Sequence, residues 1–257
     1  MTPGVCAEAT LLGVPVGLAL GLVGGGGSIL TVPILVGLLG VSPQAATSAS
    51  LIIVAANASG ALRYYFRDRL VKVRVAVLVA ISGIVGTALG TVVNKQLDPH
   101  LLTAAFVALM VVIALQMMRG KRAGPQECPD DLSTLPLAKL LGAGTLVGLT
   151  TGFFGVGGGF VIVPALLSLG LCMRQAVPTS LLVIVLNSLV ALGMRSLSGS
   201  TLPLGFALPM IAGGLVGTVI ATKLAPKLGN VGLSRAFALL ILFLAGYLAW
   251  TLKGNYA

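Results

Sequence analysis

The chain predicts an all-α integral membrane protein made of two homologous repeats, and three observations carry that prediction. Hydrophobic residues fill 57% of its 257 positions and charged residues only 9%, against about 25% charged in a soluble domain. Apolar runs follow one another along nearly the whole length, with a mean hydropathy of +1.08. A glycine-broken apolar segment also occurs twice, GLVGGGGSILTVPIL at Gly21–Leu35 and GFFGVGGGFVIVPAL at Gly152–Leu166.

The repeat extends beyond the glycines, and self-similarity on this scale sets the domain plan. At a shift of 131 residues, Gly21, Gly24, Gly26, Gly27, Val32, Pro33 and Leu35 fall on Gly152, Gly155, Gly157, Gly158, Val163, Pro164 and Leu166, and Gln44-Ala45 falls on Gln175-Ala176. A one-residue deletion is expected after that point, because Ser50, Leu51 and Asn57 match Ser180, Leu181 and Asn187. The first shift then returns, pairing Gly83, Gly86 and Thr87 with Gly214, Gly217 and Thr218. The expected units are a first membrane repeat at 1–118, a cytoplasmic linker at 119–136 and a second membrane repeat at 137–257.

Ten apolar segments make up the two repeats: Leu11–Val23, Ile29–Leu39, Ala45–Leu62, Val75–Val93, Leu101–Met118, Leu137–Phe154, Phe160–Leu171, Ala176–Met194, Leu204–Thr222 and Leu233–Leu252. Most reach the roughly 17 to 25 residues that span about 30 Å of hydrocarbon. The pieces around the glycine breaks are shorter, and a helix of about 12 residues rises only about 18 Å. Each broken pair is therefore either one discontinuous crossing or a re-entrant hairpin that returns to its own side.

Lysine and arginine collect on the cytoplasmic side of a membrane protein, so their distribution weighs the two arrangements. With hairpins, each repeat has three crossings and the repeats are inverted. The cytoplasmic side then holds Arg63, Arg67, Arg69, Lys72, Arg74, Arg119, Lys121, Arg122, Lys139, Arg174, Lys223, Lys227 and Arg235, leaving Lys95, Arg195 and Lys253 outside, or 13 against 3. With eight full crossings the repeats are parallel and the division becomes 11 against 5. The inverted arrangement is favoured, each repeat comprising a glycine-broken re-entrant pair and three transmembrane helices, with both termini periplasmic.

The net charge of +10 does not indicate a nucleic-acid partner, because the basic residues sit in short connections without interleaved aromatics. Cys6, Cys128 and Cys172 share no metal-ligand spacing and His100 stands alone in a polar loop, so no metal is expected. The start, MTPGVCAEAT, has no Lys or Arg ahead of its apolar run, unlike a cleaved signal peptide. The polar linker RGKRAGPQECPDDLSTLP reads as a tether, with Cys128 incidental to it.

The breaks suggest an anion site. Glycine needs no Cβ clearance, so Gly24, Gly25, Gly26 and Gly27 with Ser28, and Gly155, Gly157, Gly158 and Gly159 in the second copy, can present backbone N–H groups at membrane depth. Helices restarting near Ser28 and Gly159 would aim their positive ends, each equivalent to about half a charge, into the break. On the next helix, Ser50 and Asn57 are seven apart, as are Ser180 and Asn187, so each pair shares a helical face. Thr47, Ser48 and Thr179 add hydroxyls one turn nearer its start. Interhelical hydrogen bonding is the competing explanation for these polar residues. Close helix packing competes for the glycines, and it is the preferred reading for Gly83-Gly86-Gly90 and Gly214-Gly217-Ala221. A nucleotide fingerprint is excluded because no strand–turn–helix context surrounds the glycines.

The duplicated G-x-x-G-x-G-G-x-x-x-x-V-P pattern at Gly21–Pro33 and Gly152–Pro164, followed by the TSAS and PTS stretches, resembles the sulfite exporter TauE/SafE family of bacterial permeases over almost the whole chain. The resemblance implies a multi-pass inner-membrane transporter of sulfite, organosulfonates or related oxyanions. It leaves the cargo of this member open. No catalytic residue or cofactor is expected, and the expected partners are a small anionic substrate, the bilayer and, as a compatible assembly, a second copy in a homodimer.

No Asp, Glu or Lys falls in the middle of an apolar segment, which argues against a carboxylate proton relay. Facilitated diffusion, or coupling to Na⁺ held by backbone carbonyls, stays open. For an exported anion the membrane potential alone supplies about 2.3 kcal/mol per charge per 100 mV. The alternatives from other classes are an anion channel and a membrane-embedded sulfur-transfer enzyme, for which Cys172 would be the sole reactive thiol in the core.

Overall fold

The computed structural model describes residues 3–68, 70–94, 99–119, 136–154, 159–197 and 204–254. The linker, with Cys128, and the glycines Gly155, Gly157 and Gly158 lie outside these residues. Among the described residues the chain is all-helical: α1 (Pro3–Val23), α2 (Gly26–Gly37), α3 (Pro43–Arg67), α4 (Val73–Asn94), α5 (Pro99–Arg119), α6 (Leu137–Phe154), α7 (Gly159–Ser168), α8 (Met173–Leu197) and α9 (Leu204–Gly254). The last two expected segments join in α9, which bends at Gly229 (φ 62°, ψ −179°), a conformation open to glycine and strained for other residues.

Among the described residues, five stretches are long and apolar enough to cross a bilayer: Cys6–Val23, Ala45–Arg67, Val73–Gly90, Met173–Gly193 and Gly205–Gly229. Their outward faces carry exposed Leu11, Ile81, Val85, Leu189 and Val216, and Leu146 and Phe243 are exposed on α6 and the second limb of α9. A soluble protein would not leave so much apolar surface in water; lipid is the solvent that accepts it.

Two helix pairs form the tightest seams, and both are built on glycine. Gly13 of α1 meets Met210 and Gly214 of α9, Gly17 meets Gly214, and Gly21 meets Thr218 and Ala221, while Gly213 and Gly217 lie against Thr10 and Val14. Residue numbers rise together along the seam, so α1 and the first limb of α9 run parallel. The seam between α4 and α6 follows the same rule, with Gly144 on Val79 and Ser82, Gly148 on Gly83, and Gly86 on Thr145 and Leu149. Small residues let backbones approach where lipid supplies no hydrophobic drive between helices. The packing role expected of Gly83, Gly86, Gly214, Gly217 and Ala221 is the one they have here.

α2 does not continue along the line of α1. A methyl group placed on Gly27 would lie 2.8 Å from Leu20 Cβ and 3.1 Å from the Val16 carbonyl oxygen, although a continuous helix would put eleven residues about 16 Å apart. The chain therefore turns back on itself at Gly24-Gly25. The turns that leave α2 and α7 are alike: each holds one positive-φ glycine, Gly40 (64°) and Gly170 (96°), and the Val41 and Leu171 N–H groups close them on Leu35 and Leu166. α3 and α8 both have 25 residues, beginning at Pro43 and Met173. The turn after α2 is one residue longer than the turn after α7, since Val41 closes on a residue six positions back and Leu171 on one five back.

The end of α3, the start of α8 and the middle of α9 meet around one pocket, to which they contribute Tyr64 and Asp68, Met173 and Arg174, and Thr222 and Leu233. α3 and α8 pack against each other, as do α2 and α7.

Candidate functional site

The first glycine break is a turn two residues long. Gly24 adopts φ 77° and its N–H donates to the Leu20 carbonyl at 2.8 Å, while the Gly25 N–H donates to Val23 O at 2.9 Å. Two of the glycine N–H groups expected to face a ligand are thus consumed by the turn. α2 begins at Gly26, so the N–H groups of Gly26, Gly27 and Ser28 belong to a first helical turn, where no intrahelical acceptor exists. Gly27 is packed on α1, and its neighbour Thr31 is buried with its hydroxyl donating to Gly27 O at 2.6 Å.

The break of the first half faces the second half. A methyl group at Gly24 would overlap Ser180 Oγ and come within 3.1 Å of the Val177 carbonyl oxygen and 3.3 Å of Val163 Cγ2. Val163 is in α7, which opens at the buried Gly159. The turn that launches α2 therefore sits beside the first turns of α7, so that two short helices bring their positive ends into one neighbourhood. The first break thus meets Ser180, the sequence match of Ser50 in the second half.

The polar residues divide into engaged and unengaged groups. Ser180 is buried and its hydroxyl donates to Val177 O at 2.7 Å; Ser50 donates to Thr47 O at 2.9 Å. Such back-bonding to a residue's own helix leaves both hydroxyl oxygens with acceptor capacity. Thr179 Oγ1 accepts the Lys72 N–H at 3.1 Å and ties α8 to the α3–α4 connection. Asn57 is different. It is 0% exposed and neither its Nδ2 nor its Oδ1 has a hydrogen-bond partner. Its amide lies against Gly214 of α9. Asn187, its match in the second half, has a buried Oδ1 that is also unpartnered. An unpaired buried polar group costs about 1–3 kcal/mol, which sets Asn57 Nδ2 and Oδ1 and Asn187 Oδ1 apart from the bonded hydroxyls. Gly24 with Ser180, and Asn57 with Gly214, form two separate contacts in the fold.

One participant was not legible beforehand. Tyr65 is buried and its hydroxyl donates to the Gly21 carbonyl at 2.9 Å, clasping the end of α3 to the last turn of α1. Nothing in the string Tyr64-Tyr65-Phe66 separates it from an aromatic belt at a membrane interface.

Residues 9–248 match the sulfite exporter TauE/SafE family. The chain belongs to this family. It is 34% identical over 240 residues to a probable membrane transporter protein of Xylella fastidiosa, covering 91% of each chain. It is 27% identical over 243 residues to the probable membrane transporter protein YunE of Bacillus subtilis, covering 84% of this chain and 89% of that one. A probable membrane transporter protein of Methanocaldococcus jannaschii is 25% identical over 252 residues. No solved structure matches the chain. As a TauE/SafE protein with five apolar helices of crossing length, the chain is a multi-pass membrane transporter.

The described residues contain no group of three or more His, Cys, Asp or Glu side chains that could hold a metal ion. Cys172, the thiol a sulfur-transfer enzyme would need, is buried and disulfide-bonded.

Proposed function

We propose that this transporter passes small sulfur-containing oxyanions, sulfite or organosulfonates, through a site near the bilayer midplane between two inverted repeats. The observation that carries the reading is the wholly buried, unpartnered amide of Asn57, which offers an N–H donor at a depth where water cannot serve it. The first turns of α2 and α7 add positive helix ends, and Ser180 lies against Gly24. An oxyanion accepts hydrogen bonds from the Asn57 amide and the free N–H groups of the helix ends, and charge-assisted bonds are roughly twice as strong as neutral ones.

Two features support inverted repeats. α2 folds back on α1, as a re-entrant hairpin does. Residues 64–70, 173–178 and 222–233 share one pocket, whereas parallel repeats would send Arg63–Arg74 and Lys223–Arg235 to opposite faces. The basic residues thus gather at one end, the cytoplasmic end by the charge rule.

Titrating purified protein with sulfite, sulfoacetate, thiosulfate and ammonium, and following thermal unfolding, tests the proposal. Stabilisation by the oxyanions supports it; stabilisation by ammonium alone overturns it. Saturable sulfite flux in proteoliposomes separates a carrier from a channel, whose flux would not saturate.

A further inference from the structure

We propose that the pocket at the basic end is a second oxyanion site, an antechamber that captures the anion before it reaches the glycine break; the inference rests on the anion-transport reading above. The pocket encloses about 450 Å³ including its open mouth, and its walls include Tyr64, Tyr65, Asp68, Arg174, Val177 and Thr222. Both halves of the chain contribute to it, as they do to the break.

Charge, helix direction and position agree. Arg63, Arg67, Arg174, Lys223, Lys227 and Arg235 are exposed at this end, each within two positions of a lining residue, and Asp68 is the one acid among the lining residues. α8 begins at Met173, so its positive end opens into the pocket beside the Arg174 guanidinium. A guanidinium presents several donors in the fork that matches a planar or tetrahedral oxyanion. Clustered charge of one sign around a concave mouth also raises the local concentration of its counter-ion. The floor belongs to the break as well: the Val177 carbonyl accepts the Ser180 hydroxyl and lies 3.1 Å from a methyl placed on Gly24, while Tyr65 closes on Gly21. An anion held by Arg174 is therefore one layer of side chains away from the first break.

Sulfite flux through the full chain in liposomes, measured separately from each face, tests the antechamber. Arg174→Gln should raise the half-saturating sulfite concentration roughly fivefold for entry from the basic end, the scale of one partly exposed charge interaction, and leave entry from the opposite face unchanged. Arg174→Lys should recover most of the loss, and Asp68→Asn should lower half-saturation from the basic end. A one-sided effect distinguishes capture from a folding defect, which would reduce flux in both directions. Saturable wild-type flux with Arg174→Gln indistinguishable from wild type on both sides would overturn the antechamber while leaving the transport reading intact. Wild-type protein without any sulfite flux would overturn both. The measurement is repeated in purely zwitterionic vesicles: persistence of the Arg174 effect supports free oxyanion as the occupant, and its disappearance assigns the pocket to an anionic lipid headgroup and overturns the proposal.

Discussion

Asn57→Ala separates an amide kept for a ligand from one that holds two helices together. Truncating a bonded buried amide costs about 1–3 kcal/mol because its partner is orphaned, but here neither amide atom has a partner. The variant loses the packing of the amide on Gly214 and relieves the burial of an unpaired polar group, two effects of opposite sign and similar size. Without ligand it should therefore melt within about 2–4 °C of wild type, the shift that about 1 kcal/mol produces in a chain of this length. With ligand the two should part. A hydrogen bond to a charged ligand is worth about 1.5–3 kcal/mol, so the sulfite dissociation constant should rise about tenfold or more. At 100 times the wild-type dissociation constant, ligand stabilisation of about 2.7 kcal/mol would fall to about 1.4 kcal/mol. Thermal unfolding of both proteins across a sulfite titration reads both quantities. A large drop in the unliganded melting temperature with the sulfite-induced shift intact would refute the reasoning and make Asn57 a structural residue.

The remaining predictions concern the break, the seams and the topology. Gly24→Ala forces a side chain into φ 77°, at about 1–2 kcal/mol, and drives a methyl into Ser180 Oγ; transport should be lost while helical circular dichroism is retained, and normal flux would place the break outside the pathway. Gly86→Ala, which meets the Thr145 backbone, should lower the melting temperature more than it alters sulfite affinity, whereas Gly60→Ala, which meets only the flexible Leu215 Cδ2 at 2.5 Å, should be nearly silent in both measurements. Asn187→Ala should weaken sulfite binding by an amount similar to Asn57→Ala, since inverted repeats place matching residues on opposite sides of one midplane site; unequal effects would mean the halves have diverged in use. Cysteines introduced at Thr2 and Asn255, in a chain lacking Cys6, should label from outside intact cells, and protection of both would rule out periplasmic termini.

Membrane residence was written into composition alone, because hydrocarbon accepts few charges and demands long apolar runs, and each described helix overlaps one of those runs or, in α9, two. The packing glycines were legible for the same reason: Gly83-Gly86 and Gly214-Gly217 recur at the spacing that keeps a small residue on one helical face. The two breaks were located as well, since four glycines in five positions cannot hold a helix straight. Spacing along a chain does not say which copy a side chain faces, so only the tertiary structure decided that Gly24 opposes Ser180 of the other half and that Asn57 lies on Gly214. The same holds for which N–H groups remain available: glycine permits many turns, and the one adopted uses the N–H groups of Gly24 and Gly25 internally. Helix direction was equally out of reach of hydropathy, which has no sign along the bilayer normal. The fold-back of α2 on α1, the parallel seams and the gathering of Arg174 with Tyr65 around one pocket arise from contacts between residues tens to more than a hundred positions apart, and only the folded chain brings those together.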